Sequence, residues 1–251
     1  GVQLVFEPGC YLDVDGRIVV EGTEELPVVF TARDTTNGWA GVRIIGNWSS
    51  NVFRNVVFEH GRALGAYSSP YYGPQMEGAG IYLENGRVTV DGCTFRQNRS
   101  TVHGSAISVR AGMDIRIWNC VFASNATTGA SAAMGATYFG SAGQASLVEV
   151  LGSEFVGNFS GDGSSAMMFT GGFTSNGVLV ANNVIWGNVA RGVNYVGNTA
   201  MACFEAGKVL NNVFCGNTLS PGVGRSFQTV ARLNGTVFRN NIVYGNIGVT
   251  G

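Results

Sequence analysis

Residues Gly78 to Asn98 read GAGIYLENGRVTVDGCTFRQN. Ile81 and Leu83 alternate with other residues, and Gly86 breaks the run. Val88 and Val90 alternate again, Gly92 breaks again, and Phe95 is followed three residues later by Asn98. Strict alternation over so few residues fits strands, whose side chains change face at every step. Three short strands divided by single turn residues leave no room for chain reversal. They form one coil of a parallel solenoid.

Copies of the stretch stack in register along the chain. The Phe95 position recurs as Phe58, Phe95, Phe122, Phe155, Ile185, Phe214 and Val243. Three residues later stand Gly61, Asn98, Asn125, Asn158, Asn188, Asn217 and Asn246. The Gly92 position holds only Gly and Asn: Asn55, Gly92, Asn119, Gly152, Asn182, Asn211 and Asn240. Those two residue types enter the left-handed backbone region most readily, which a sharp turn requires. A period of roughly 26–34 residues lies in the solenoid range.

The composition agrees. A solenoid grows in one dimension, so all 251 residues fit one domain, residues 1–38 forming entry coils and 39–251 the regular ones. Only 12% of residues are charged and 45% are hydrophobic, with a formal net charge of -1. That balance carries no electrostatic footprint for nucleic acid. No apolar run approaches membrane-spanning length, so no membrane insertion is expected. No signal peptide stands in this chain, and no polar cap is legible before Gly1 or after Asn246. The expectation is a piece of a longer secreted or cell-surface chain.

The entry region carries a resemblance. Glu7-Pro8-Gly9, Val14-Asp15-Gly16 and Gly22-Thr23 with Pro27-Val28-Val29-Phe30-Thr31 lead into Trp39-Ala40-Gly41-Val42-Arg43-Ile44. This pattern, with the repeat behind it, resembles the right-handed parallel β-helix repeat family of the wider pectin-lyase-like superfamily. The resemblance covers nearly the whole chain. It implies an all-β fold, a single-stranded right-handed parallel β-helix of about seven or eight coils. The handedness comes from the family, because columns show stacking and not chirality.

Inward ladders follow from the register. Val42, Ile81, Ile107, Met167 and Met201 form one, and Ile44, Leu83, Val109, Phe169 and Cys203 another. The Val90 position gives Phe53, Val90, Ile117, Val150, Val180, Val209 and Phe238. The Cys93 position reads Val56, Cys93, Cys120, Ser153, Asn183, Asn212 and Asn241, its last three members an expected buried asparagine ladder. Cys93 and Cys120 fall on adjacent coils, either as stacked thiols or as a disulfide. Cys203 reads as core, and Cys10 and Cys215 have no evident partner. The register between Ala132 and Gly143 is open.

Catalytic chemistry is not evident. The enzymes of the superfamily include pectate lyases, with carboxylates clustered for calcium beside a basic residue, and polygalacturonases, with several aspartates on adjacent strands. Such stacks would stand in the outward columns. Arg43, Tyr82, Ser108, Met168 and Ala202 hold no acid; Thr89, Arg116, Glu149, Leu179 and Lys208 hold one. Glu84 over Arg110 reads as a surface ion pair. Neither the two carboxylates of a glycosidase nor the oxygen cage of calcium is formed. No catalytic residue, metal ligand or cofactor is assigned.

Two surfaces remain for contact. The segment after the asparagine column varies in length from coil to coil, so insertions collect on one edge, where solenoids usually place function. The longest is Arg62 to Gly78. Tyr67, Tyr71 and Tyr72 there, beside His60, Arg62 and Glu77, form the candidate binding loop, with His103 nearby as a turn residue. The second surface is a face. The outward columns Val57, Thr94, Val121, Glu154, Val184, Val213, Ile242 and Glu59, Arg96, Ala123, Val156, Trp186, Cys215, Tyr244 lose all charge from Val184 onward. Val184, Trp186, Val213, Ile242 and Tyr244 are the candidate partner face, for self-association or a protein partner, with a glycan as another candidate ligand; the alternative is that an insertion, Arg191 to Thr199 or Thr218 to Arg225, folds back and covers it. Sequons at Asn47, Asn98, Asn125, Asn158 and Asn234 are read as incidental in so Asn-rich a chain. The expected function is a non-catalytic structural or adhesive module. The alternative is a carbohydrate-active β-helix whose catalytic coils lie elsewhere or go unrecognised. Ice binding would need regular outward threonine ladders, and Thr89 and Thr94 stand alone.

Overall fold

The computed structural model describes residues 1–248 except 46–49, 66–72, 85, 110–113, 130, 138–146, 171–176, 192–199, 204–206, 221–229 and 234. Among the described residues every strand pair is parallel. Consecutive strands of a sheet come from consecutive coils, as in Gln3–Phe6, Val28–Ala32, Val56–Glu59 and Thr94–Arg96, which begin the largest sheet. Among the described residues three sheets, of nine, eight and eight strands, run the length of the solenoid, and a fourth of six strands begins at Arg62–Ala63. At about 4.8 Å per strand, eight strands extend over roughly 35–40 Å.

The decisive stretch supplies one strand to each sheet in turn. Ile81–Leu83 enters the first eight-stranded sheet, called here the entry sheet. Arg87–Asp91 lies in the second, the valine sheet, and Thr94–Arg96 in the nine-stranded phenylalanine sheet. Arg99–Ser100 adds a short fourth strand that the alternation did not reveal. Two residues are too few for a periodic signal. Arg62–Ala63, Ala126–Thr127 and Phe159–Ser160 repeat it in neighbouring coils.

The register agrees with the sequence columns. Phe95 pairs with Phe58 on one side and Phe122 on the other. The rings of Phe58, Phe95, Phe122 and Phe155 stack with centroids 4.8, 5.0 and 4.5 Å apart and planes within 6° of parallel. All four are fully buried. Each such side chain contributes about 1.5–3 kcal/mol by leaving water. The open register closes at Met134, which pairs with Ile107 and Met167.

Each coil turns through two left-handed residues. Asn55, Gly92, Asn119, Gly152, Asn182, Asn211 and Asn240 have φ between 48° and 61°. A second column, His60, Gln97, Ser124, Gly157, Gly187, Gly216 and Gly245, lies between 54° and 62°. The residue after each turn points inward and starts a polar ladder. At Asn125 the backbone N–H and Nδ2 both donate to Asn158 Oδ1 at 3.0 Å, and Nδ2 also donates to Phe95 O at 3.0 Å. The arrangement repeats from Asn98 to Asn246. The expected ladder at Asn183, Asn212 and Asn241 is a second one of the same design. The sequon residues Asn98, Asn125 and Asn158 are therefore fully buried and bonded.

Cys93 and Cys120 are free thiols. The Cys93 thiol donates to Phe53 O at 3.4 Å and that of Cys120 to Val90 O at 3.5 Å. Asn183 and Asn212 make the same bond with Nδ2, to Val150 O and Val180 O. Burial pushes the Cys120 thiol well above its ordinary pKa, with the hydrogen bond to Cys93 acting in the same direction. It stays protonated and serves as a donor.

One expectation about the surface is corrected. The entry-sheet column expected to face solvent is covered, with Tyr82, Ser108 and Met168 all buried. Met76 and Glu77, from the insertion after Arg62, are fully buried as well, and Ser108 donates its hydroxyl to Glu77 Oε2 at 2.9 Å. The insertion lays at least this part of itself on the sheet, because outward Tyr and Met offer apolar area to cover.

Candidate functional site

His60 and Arg62 stand on the second left-handed corner, between the phenylalanine sheet and the short sheet. His60 takes φ 59°. Its pKa is lowered, first by partial burial and then by the positive charge of Arg62 and Arg96, against an opposing effect of Glu59. A shallow groove of about 280 Å³ lies here, lined by Glu59, His60, Arg96, Gln97, Ala123 and Ser124. Arg96 Nη2 and Glu59 Oε2 form an ion pair at 2.6 Å across it.

Arg62 is occupied by its own chain. Its guanidinium donates to the carbonyls of Thr36 at 3.3 Å, Gly61 at 2.9 Å, Gln97 at 2.7 Å and Thr35 at 2.6 Å. The side chain thus ties the loop before Trp39 to the corner of the next coil. Glu77 does not join it at the surface, since it is buried against Ser108. His103 is half-buried and sits in a column with Ser131 and Ser164, where the chain bridges from coil to coil. The Glu77 segment runs beside it, with Gly78 N–H donating to Gly104 O at 2.8 Å. Tyr67, Tyr71 and Tyr72 lie outside the described residues, as do Asn47, Asn234 and Arg110, the expected partner of Glu84. The side chain of Cys203 also lies outside them.

The outward face of the phenylalanine sheet matches its expected columns. Val184 pairs with Val213 and Trp186 with Cys215, then Val213 with Ile242 and Cys215 with Tyr244. Val184 is 42% exposed, Trp186 45%, Ile242 58% and Tyr244 58%. Trp186 Nε1 donates to Glu154 Oε1 at 2.6 Å, a pairing the columns placed nearby but did not single out. That bond lays the indole toward the preceding coil. The Tyr244 hydroxyl is pushed up in pKa by its hydrogen bond with the Cys215 thiol.

Among the described residues, five outward carboxylates each stand beside an arginine: Glu7 with Arg33, Glu21 with Arg54, Glu59 with Arg96, Asp114 with Arg87 and Glu149 with Arg116. Two others, Glu24 and Asp91, line one groove with Arg54. Among the described residues no three His, Cys, Asp or Glu side chains gather closely enough to hold a metal ion.

Parallel sheets of this order, with a left-handed residue at each corner, are matched over residues 7–202 by the family model for the right-handed beta helix region. The chain belongs to the right-handed β-helix family. The match reaches from the entry strands through the coil of Trp186, and so includes the corner of His60 and Arg62. A search of curated proteins finds no significant match to this β-helix. Its coils therefore carry the family's handedness, while its surfaces have to be read from their own chemistry.

Proposed function

We propose that this β-helix is a non-catalytic structural or adhesive module of an extracellular or cell-surface protein. It acts as a stiff rod that meets other macromolecules through its lateral face and its edge insertions. The observation that carries the reading is an apolar stripe exposed among the described residues. Trp186, two coils before the last, keeps 45% of its surface exposed on a face without charge from Val184 to Tyr244. Contiguous apolar surface of this kind marks contact sites.

The arginine pairing of five outward carboxylates supports the non-catalytic half of the reading, because acid–base glycosidase chemistry needs two carboxyl groups free to act at a defined separation. The test is turnover. The isolated chain, assayed on acidic and neutral polysaccharides with and without calcium, is expected to cleave none. Cleavage that Glu149→Gln abolishes would replace this reading with a carbohydrate-active one.

A further inference from the structure

Cys93 and Cys120 follow the first left-handed corner in adjacent coils, and the strands on either side fix their register. Asp91 pairs with Trp118 just before them, and Thr94 with Val121 just after. The two side chains are therefore stacked neighbours, each only 1% exposed. Both are reduced, and the Cys120 thiol is hydrogen-bonded to Cys93. Two soft sulfur ligands thus stand together inside the solenoid wall.

We propose that this pair binds one soft monovalent cation, of the copper(I) and silver(I) class, held in line between the two sulfurs. Neighbouring coils stand about 4.8 Å apart. A metal–thiolate bond is about 2.3 Å long, so an ion between two sulfurs spans about 4.6 Å. Sulfur ligands select soft ions, and a thiol that stays protonated gives way only to a cation with strong affinity for sulfur. Zinc, which takes four ligands in a structural site, finds two here.

The surroundings assign the roles. Val56 N–H donates to Cys93 Sγ at 3.4 Å, which suits that sulfur to be the thiolate. Its S–H bond breaks as the metal–sulfur bond forms, and the proton leaves to water. Cys120 gives the ion a lone pair and keeps its proton. One cation enters for one proton, so the buried site stays neutral. Loss of the second proton would leave an anion in the core, which is costly. The carbonyl oxygens of Phe53, Asp91, Val90 and Trp118, 3.0 to 3.5 Å from the sulfurs, oppose it further.

The residues before the thiols give a way in. Asp91, Gly92 and Asn119 line a groove of about 340 Å³ together with Glu24, Arg54 and Asn55. Gly92 is next to Cys93 and sets no side chain over it. Arg54 is held by Glu21, which leaves the carboxylates of Glu24 and Asp91 to draw a cation to this corner. A bound ion then ties two coils together and stabilises the chain by mass action.

Titration with silver nitrate is the test, on a chain carrying Cys10→Ser, Cys203→Ala and Cys215→Ser so that only the stacked pair remains. Equilibrium dialysis is expected to find one silver ion per chain, with a melting temperature that rises on loading. Cys120→Asn and Cys93→Ser each keep a hydrogen-bonding side chain in the column, and circular dichroism checks their fold. Either change is expected to weaken binding on the order of a hundredfold. Copper(I), supplied as its acetonitrile complex under nitrogen, is expected to displace the silver, and zinc nitrate to leave the chain unchanged. Two silver ions per chain, or none, overturn the proposal. Binding indifferent to a folded variant does so too, as does copper(I) that leaves silver in place or zinc that binds as tightly. The contact-module reading is independent of all these outcomes.

Discussion

At Cys93 and Cys120 a thiol occupies the place that an amide takes at Asn183 and Asn212. The column runs Cys, Cys, Ser, Asn, Asn, Asn through six coils, and each side chain bonds an adjacent coil. An amide has two donors and a strong acceptor, whereas a thiol is weak in both roles. Cys120→Asn is therefore expected to extend the ladder and to stabilise the chain by about 1 kcal/mol, the net worth of one added hydrogen bond. Chemical denaturation measures it, and a loss of stability would show that the pocket cannot take the amide. The asparagines of the Asn98 column were plain in the sequence. Their hydrogen bonds were not, because the same residues serve turns equally well.

Among the elements, the corners divide into a legible and an illegible kind. The first corner uses only Gly and Asn, so its left-handed backbone could be inferred from residue type. The second begins with His60, Gln97 and Ser124, which conceal the same conformation until Gly157. The glycines at Gly157, Gly187, Gly216 and Gly245, each just before an asparagine of the ladder, were the available signal. Asn182, with φ 59° and its side chain exposed, separates backbone from packing. Asn182→Gly is expected to be near neutral. Asn182→Val forces a β-branched residue into the left-handed region and is expected to cost about 1–2 kcal/mol. Thermal melts of the two variants check this, and equal melting temperatures would mean that the corner does not depend on that conformation.

As a whole molecule, the solenoid stabilises each coil mainly through its two neighbours. Val121–Ala123 and Glu154–Val156 are paired on both sides over the fully buried Phe122 and Phe155. Among the described residues, Val237–Arg239 and Ile242–Tyr244 are each paired on one side, and every residue in them is exposed. In the chain of residues 1–251, amide hydrogens of these two strands are expected to exchange on the order of a hundredfold faster than those of the central ones. Hydrogen exchange read by mass spectrometry tests the gradient. Uniform protection would mean that the rod opens only as a single unit.

The sequence by itself determined three strands of each coil, their register outside Ala132 to Gly143, and the core, because a period-2 pattern repeated in stacked columns has one economical solution. It also placed the uncharged stripe, since the parity of a strand assigns each residue a face. Tertiary structure alone decided what happens to a face once assigned. Tyr82 and Ser108 point out of the entry sheet as their parity requires, yet lie buried, while Trp186 points out of its sheet and stays exposed. Glu77 passed from a candidate ligand contact to a buried partner of Ser108 for the same reason. Parity is local and covalent, whereas cover comes from segments distant along the chain, whose path no periodicity records.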